Sequence, residues 1–100
     1  MQELPLIARA RDHRDRIAIR SGAHQDHRYR ELLEASALLA FQLLAGAADL
    51  AEARIAFMAP AGFAWVVMQW AIWRAGGIAI PLALSATRPE IEYVLSDSQA

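Results

Sequence analysis

Residues 70–82 read WAIWRAGGIAIPL. Two tryptophans stand on a run without a helix breaker, two glycines follow, and a short β-branched stretch is closed by proline. The run continues an apolar segment that begins near Gly62, where Phe63, Trp65, Val66, Val67, Met68, Trp70, Ile72 and Trp73 leave no polar stripe. A helix over 62–75 with that composition is expected to be buried on most sides. Gly76 supplies a left-handed residue to end it, and Gly77 lets the chain turn tightly. Residues 78–81 then read as a short strand. Upstream, ARIAFMAP at 53–60 holds a second apolar strand, 54–59, stopped by Pro60. The connection is too long and too helical for a hairpin, so the unit is a right-handed βαβ crossover with parallel strands. Parallel strands are ordinarily covered on both faces, which accounts for the missing solvent face on each.

A membrane span competes with this crossover. Residues 55–73 run for nineteen positions without a formal charge, inside the ~17–25 that cross a bilayer. Pro60 and Gly62 interrupt that run where a strand-to-helix turn would. A span begun at Gly62 would carry Arg74, Gly76, Gly77 and Pro81 into lipid, each at a cost. No membrane span is expected.

Outward from this unit, a helix over 29–45 places Leu32, Leu33, Leu39, Ala40, Leu43 and Leu44 on one stripe with Ser36, and Glu31, Glu34 and Gln42 on the other side. Gly46 is its expected C-cap. RIAIR at 16–20 alternates like a half-buried strand, SGAHQDH at 21–27 carries turn chemistry, and Arg28 is the hinge into the next element, so residues 16–30 read as a strand, a turn and a return strand. Residues 4–10 form a short helix with Leu6 and Ile7 as its apolar contacts. Thr87-Arg88-Pro89-Glu90 is a capping box with proline in the first turn, opening a helix over 88–95. The fold class is α/β: the N-terminal portion of a larger layered α/β domain, with residues 1–100 one fragment and no second domain.

Composition points the same way. The chain has 100 residues and is 56% apolar, more than a small soluble domain needs, so part of that surface is meant to face further protein. All ten basic residues are arginine against eleven acids, and seven of the arginines fall in residues 1–30 with no aromatic interleaving. No nucleic-acid partner is expected. Cysteine is absent, which excludes disulfides and thiolate metal sites and suits a reducing, cytoplasmic location. The first sixteen residues lack a secretory apolar core, and Glu3, Asp12 and Asp15 oppose a transit peptide.

Candidate chemistry is sparse. His24, Asp26 and His27 with His13 do not provide the fixed geometry of a zinc site and read as a polar turn. Glu31 with Glu34, and Glu90 with Glu92, read as solvated helix faces. Ala59-Pro60-Ala61-Gly62 resembles a phosphate loop only in being small, with no lysine to complete it. Ser85, Ser96 and Ser98 have no histidine near in sequence to activate them. Trp65, Trp70 and Trp73 read as core packing. No catalytic, cofactor-binding or metal-ligating residue is assigned.

HRYRELLEASALLAFQLL at 27–44 resembles the first core motif of the AMP-forming acyl-CoA synthetases, the adenylate-forming ligase superfamily, where an aromatic-x-Glu-Leu opens a helix. WRAGGIAIPLALSATRPEIEYVLSDSQA at 73–100 resembles the second. The match runs over about 15–100, and QWAIWRAGG at 69–77 with EYVLSDSQ at 92–99 leans to the malonyl-CoA synthetase-like branch. The resemblance implies a two-step ligase in which a carboxylate attacks the α-phosphate of ATP with Mg²⁺, and coenzyme A thiol then displaces AMP from the acyl-adenylate. The family's phosphate loop, ribose-binding aspartate and adenylation lysine are not found here, so this segment is expected to bind no cofactor and to be inactive alone. What carries over is structural: Tyr29, Glu31 and Leu32 at one helix start, and Ala75, Gly76, Pro81 and Leu82 around one strand. The family's usual threonine is Arg28 here, which weakens that helix start by ~1 kcal/mol. The implied partners are the remainder of a synthetase chain and a small carboxylic acid. Two other classes remain: a small non-enzymatic interaction protein presenting the tryptophan helix, and a small membrane protein.

Overall fold

The computed structural model describes residues 3–20 and 25–100. In chain order the elements are α1 (Pro5–Asp12), β1 (Ile17–Arg20), β2 (Asp26–Arg28), α2 (Tyr29–Leu44), β3 (Arg54–Phe57), α3 (Phe63–Arg74), β4 (Ile78–Pro81) and α4 (Arg88–Ser98). β1 and β2 pair antiparallel, and β3 and β4 pair parallel, in two separate two-stranded sheets. The βαβ unit read from the sequence is therefore present, with Arg54 opposite Ile78 and Phe57 opposite Pro81.

Its strand bounds differ in an instructive way. β3 stops at Phe57 rather than at 59, because β4 offers nothing beyond the amide of Leu82, which donates to the Phe57 carbonyl at 2.8 Å. Ile78 donates to Ala53 at 2.9 Å, so the amides at 78 and 82 turn toward β3 and the alternate positions, 79 and 81, turn away. Pro81 thus sits where a missing N–H costs the pair nothing. The expected cover on both faces is not met within this chain: β3 and β4 are half-buried along their middles, and of their end residues only Phe57 is buried. Two strands are too few to bury one another.

The core lies between α2 and α3. Leu32, Leu33, Ser36 and Ala40 of α2 face Val67, Trp70, Ala71 and Ala75, with Ile7 and Ala10 of α1 added at one end. Ser36, Ala71 and Ala75 are fully closed to solvent, and their small side chains let the two helices approach closely. Arg74, in the last turn of α3, ties them further by donating through Nη1 to the Leu33 carbonyl at 2.8 Å and to Ser36 Oγ at 2.9 Å. Burial lowers the pKa of that guanidinium, with the Arg11 charge adding to the effect. As the sequence indicates, α3 is covered nearly all round, with Ala64 its one exposed residue. Trp70 is in the core and Trp73 packs on it, whereas Trp65, also read as core packing, is half-buried and lines a cleft instead. No helix is long and apolar enough to cross a membrane among the described residues.

Helix ends follow local chemistry. α2 begins at Tyr29 with Arg28 as its N-cap, the hinge expected of that residue. A guanidinium has no acceptor, so only half a capping box forms: the Arg28 amide donates to Glu31 Oε1 at 3.1 Å. The Arg28 side chain instead reaches the Asp15 carbonyl. At its other end Ala45 adopts the left-handed conformation ahead of Gly46, so the cap is one residue earlier than expected. α3 starts at Phe63 and ends at Arg74, one residue inside each expected boundary. α4 runs three residues past Leu95, opened by Thr87 Oγ1, which accepts from the Glu90 amide at 3.4 Å and donates to Glu90 Oε1 at 3.0 Å.

Three smaller readings are corrected. In α1 the buried pair is Ile7 and Ala10, three positions apart on one face, while Leu6 lies 100° round the helix from Ile7 and is 46% exposed. β1 does not alternate cleanly: a register irregularity between Ile17 and Ile19 lets both Ala18 and Ile19 pack on the core. The turn assigned to 21–27 lies outside the described residues over 21–24, and its last two residues, Asp26 and His27, belong to β2.

Candidate functional site

In an open parallel sheet the carboxyl ends of the strands are where ligands settle, since the loops there splay away from the layer of helices. At that end of β3 and β4 the chain forms a cleft of about 450 Å³ between the 59–62 turn and residues 82–85. The local sequence dictates the shape. Pro60 lies in the turn that follows β3, and Gly62 (φ 129°) makes the bend into α3. One helical turn on, Trp65 forms a wall, its ring meeting Phe57 edge-on at 5.6 Å and 61°. Leu82, Ala83, Leu84 and Ser85 form the opposite side.

Among the described residues no ionisable group lines this cleft, and the lining side chains that carry polar atoms are Ser85, with its hydroxyl, and Trp65, with its indole N–H. Such a wall can hold an uncharged or apolar surface, and its polar side-chain atoms are limited to one hydroxyl and one indole N–H. It cannot move a proton at neutral pH or neutralise a phosphate. A larger groove of about 840 Å³ lies at the opposite, amino ends of the strands, between α1, Trp73 and Ile78. Its single cation, Arg74, is engaged with Leu33 and Ser36.

The motif residues take structural positions. Tyr29 packs on the core from the start of α2, and Leu32 is buried. Glu31 caps the helix, and its carboxyl is held below the usual range chiefly by the Arg28 amide and then by His27. Ala75 is buried at the end of α3, Gly76 carries a positive φ of 85°, and Pro81 and Leu82 lead into the cleft. Gly77 serves by close approach: a Cβ there would meet Ile72 Cγ2 at 3.0 Å and the Ala53 carbonyl at 3.1 Å. His27 is not a ligand in a turn. It stacks on Phe63 at 4.0 Å and 13°, with Nδ1 3.1 Å from Glu31 Oε2, a contact that nothing in the spacing of the sequence signals. Ser98 Oγ donates to the Val94 carbonyl.

The family model for AMP-binding enzymes matches residues 6–100. The chain belongs to the AMP-binding enzyme family. Human malonate–CoA ligase ACSF3, mitochondrial, is 39% identical over 100 residues, which cover 96% of this chain and 17% of the human protein. The chain therefore spans about a sixth of the length of this curated relative. Apo MatB from Rhodopseudomonas palustris superposes with a TM-score of 0.80 at 28% identity, over 94% of this chain and 19% of that one. The N-terminal subdomain of Klebsiella oxytoca NpsA superposes with a TM-score of 0.82 at 22% identity, over all of this chain and 26% of that one, a likeness of fold. The resemblance to AMP-forming synthetases, on their malonyl-CoA synthetase-like side, holds at both levels. ATP and Mg²⁺ belong to the family's chemistry, but the residues here do not fit them. The sequence has no lysine, and among the described residues no group of three or more His, Asp or Glu side chains stands together to hold a metal ion. No chemical step is derived through either.

Proposed function

We propose that residues 1–100 are the N-terminal α/β portion of the adenylation domain of an AMP-forming acyl-CoA synthetase. The whole enzyme would join a small carboxylic acid, malonate before others, to coenzyme A through an acyl-adenylate. The observation that carries this is the 39% identity to a malonate–CoA ligase along nearly the whole chain, over a segment folded as a parallel β3–α3–β4 unit. In this reading the partner of the segment is the remainder of a synthetase chain, which contributes ATP, Mg²⁺ and coenzyme A binding. The segment contributes a scaffold and the apolar wall at Trp65 and Leu82–Ser85, and is inactive alone.

Replacing the corresponding segment of the human malonate–CoA ligase with this chain tests it. The chimera is expected to convert malonate, ATP and coenzyme A to malonyl-CoA, and the 100-residue chain to catalyse no malonate-dependent pyrophosphate exchange. A folded chimera without ligase activity would count against an equivalent role, and exchange by the isolated chain would overturn its inactivity. Cytoplasmic location is a separate proposal, supported by the cysteine-free composition. The human relative is named as mitochondrial, and cell fractionation separates the two compartments.

A further inference from the structure

We infer that the outer edge of β3, and not that of β4, receives the next strand of a longer synthetase chain, laid parallel to it. This rests on the reading that residues 1–100 continue into the remainder of such a chain, and it names the surface where that remainder attaches. Along a strand each residue turns its N–H and C=O to one side, and successive residues alternate. Ile78 and Leu82 donate to Ala53 and Phe57, so residues 53, 55 and 57 face β4 while 78, 80 and 82 face β3. What is left for a newcomer differs between the two outer sides. β3 offers the amides and carbonyls of both Arg54 and Ala56, and among the described residues no loop or turn group engages them. β4 offers Ala79 and then Pro81, which has a carbonyl but no amide. A strand laid on β4 finds one donor where a strand laid on β3 finds two, and proline in a sheet belongs at an edge.

The path of the chain gives the same answer independently. Phe57 turns to α3, where it meets Trp65, so α3 lies on one face of the pair, and Ala56, with its register neighbour Ile80, points to the other. β4 leads into α4, which adds nothing to the core shared by α2 and α3. That helix carries Ile91, Val94 and Leu95 at the spacing of one apolar stripe, with no buried residue among them. A parallel sheet takes helices on both faces, and the face opposite α3 is the one that stripe suits. A right-handed crossover over α3 steps sideways from β3 to β4. A second right-handed crossover, with its helix on the opposite face, steps back the other way and arrives at the outer side of β3. A crossover delivers a strand of its own polypeptide, so the occupant is the continuation of the chain and not a second copy. The human relative, of which this chain covers 17%, has ample length for it.

The chimera with the human malonate–CoA ligase tests this. Residue-resolved hydrogen exchange on it should show the Ala56 amide protected at least about tenfold more than the Ala79 amide. Ala56→Pro and Ala79→Pro each delete one outward amide and leave every β3–β4 hydrogen bond in place. Ala56→Pro should lower malonyl-CoA formation about tenfold or more, through loss of folded protein. Ala79→Pro should stay within about twofold, since Pro81 already stands on that side. An active chimera in which Ala79 is as protected as Ala56, or in which the two prolines act alike, overturns the edge assignment and leaves the parent reading standing. A chimera that makes no malonyl-CoA overturns both.

Discussion

Gly77 and Gly46 show how differently two glycines of one chain are held. At Gly77 the neighbours leave no room, with Ile72 Cγ2, the Ala53 carbonyl and Leu50 Cδ1 all within 3.1 Å of a built Cβ. Gly77→Ala should cost about 1–3 kcal/mol by overpacking. Gly46 has open space around it but a φ of +93°, so Gly46→Ala should cost about 1–2 kcal/mol from backbone strain alone. Denaturant titration of both variants checks the pair, and relief of the Gly77→Ala loss by Leu50→Ala, which clears one of the three contacts, would identify crowding. Arg74→Met should cost about 1–3 kcal/mol, since it strips the Leu33 carbonyl and Ser36 Oγ of a shared donor. The Glu31 carboxyl is depressed in the fold, so its contribution is present above the unfolded-state value and is lost as pH falls through the lower folded value. Glu31→Gln should therefore flatten the acid limb of a stability–pH curve below about pH 4. At this scale the glycine pair 76–77 was legible as punctuation, but the role of Gly77 was not, because Leu50 and Ala53 are far from it in sequence.

Among the elements, α4 stands apart. It contains no buried residue, and its Tyr93 is 70% exposed, yet it has the best N-terminal signal in the chain. Thr87→Ala should weaken the helix by about 1 kcal/mol while leaving the unfolding midpoint of the α2–α3 core unchanged. Residue-resolved exchange separates the two, and a matching loss in both would show that α4 is coupled to the core after all. The capping box, the parallel crossover and the stripe on α2 were all readable because each is written within a few residues or in a helical period. The strand lengths were not. β3 ends where its partner stops supplying amides, and no pattern inside 54–59 reports that. The His27–Phe63 stack escaped for the same reason, being a contact across 36 positions between two segments that read separately as a turn and a core helix.

As a molecule the chain is broad and thin, 41 × 36 × 20 Å, with a radius of gyration of 14.5 Å against ~13 Å for a compact domain of this size. Phe41 is 74% exposed and Leu38 62%, on the side of α2 away from α3, while Ile78 and Leu84 are open near the parallel pair. That much bare apolar surface was announced by the 56% apolar composition. The isolated chain should bind a hydrophobic dye and melt over a broad range. Phe41→Glu should lower dye binding without lowering stability, whereas a sharp two-state melt with no dye uptake would contradict the description. The parallel pair also leaves strand edges bare, a hazard in any protein that lingers on its own. Along the outer side of β4 an intruding strand would find the Ala79 amide and then, at Pro81, no donor at all. Stacking of neighbouring copies through that side ends after one rung, so fibrous growth would have to proceed through β3, where the exposed charge of Arg54 opposes it.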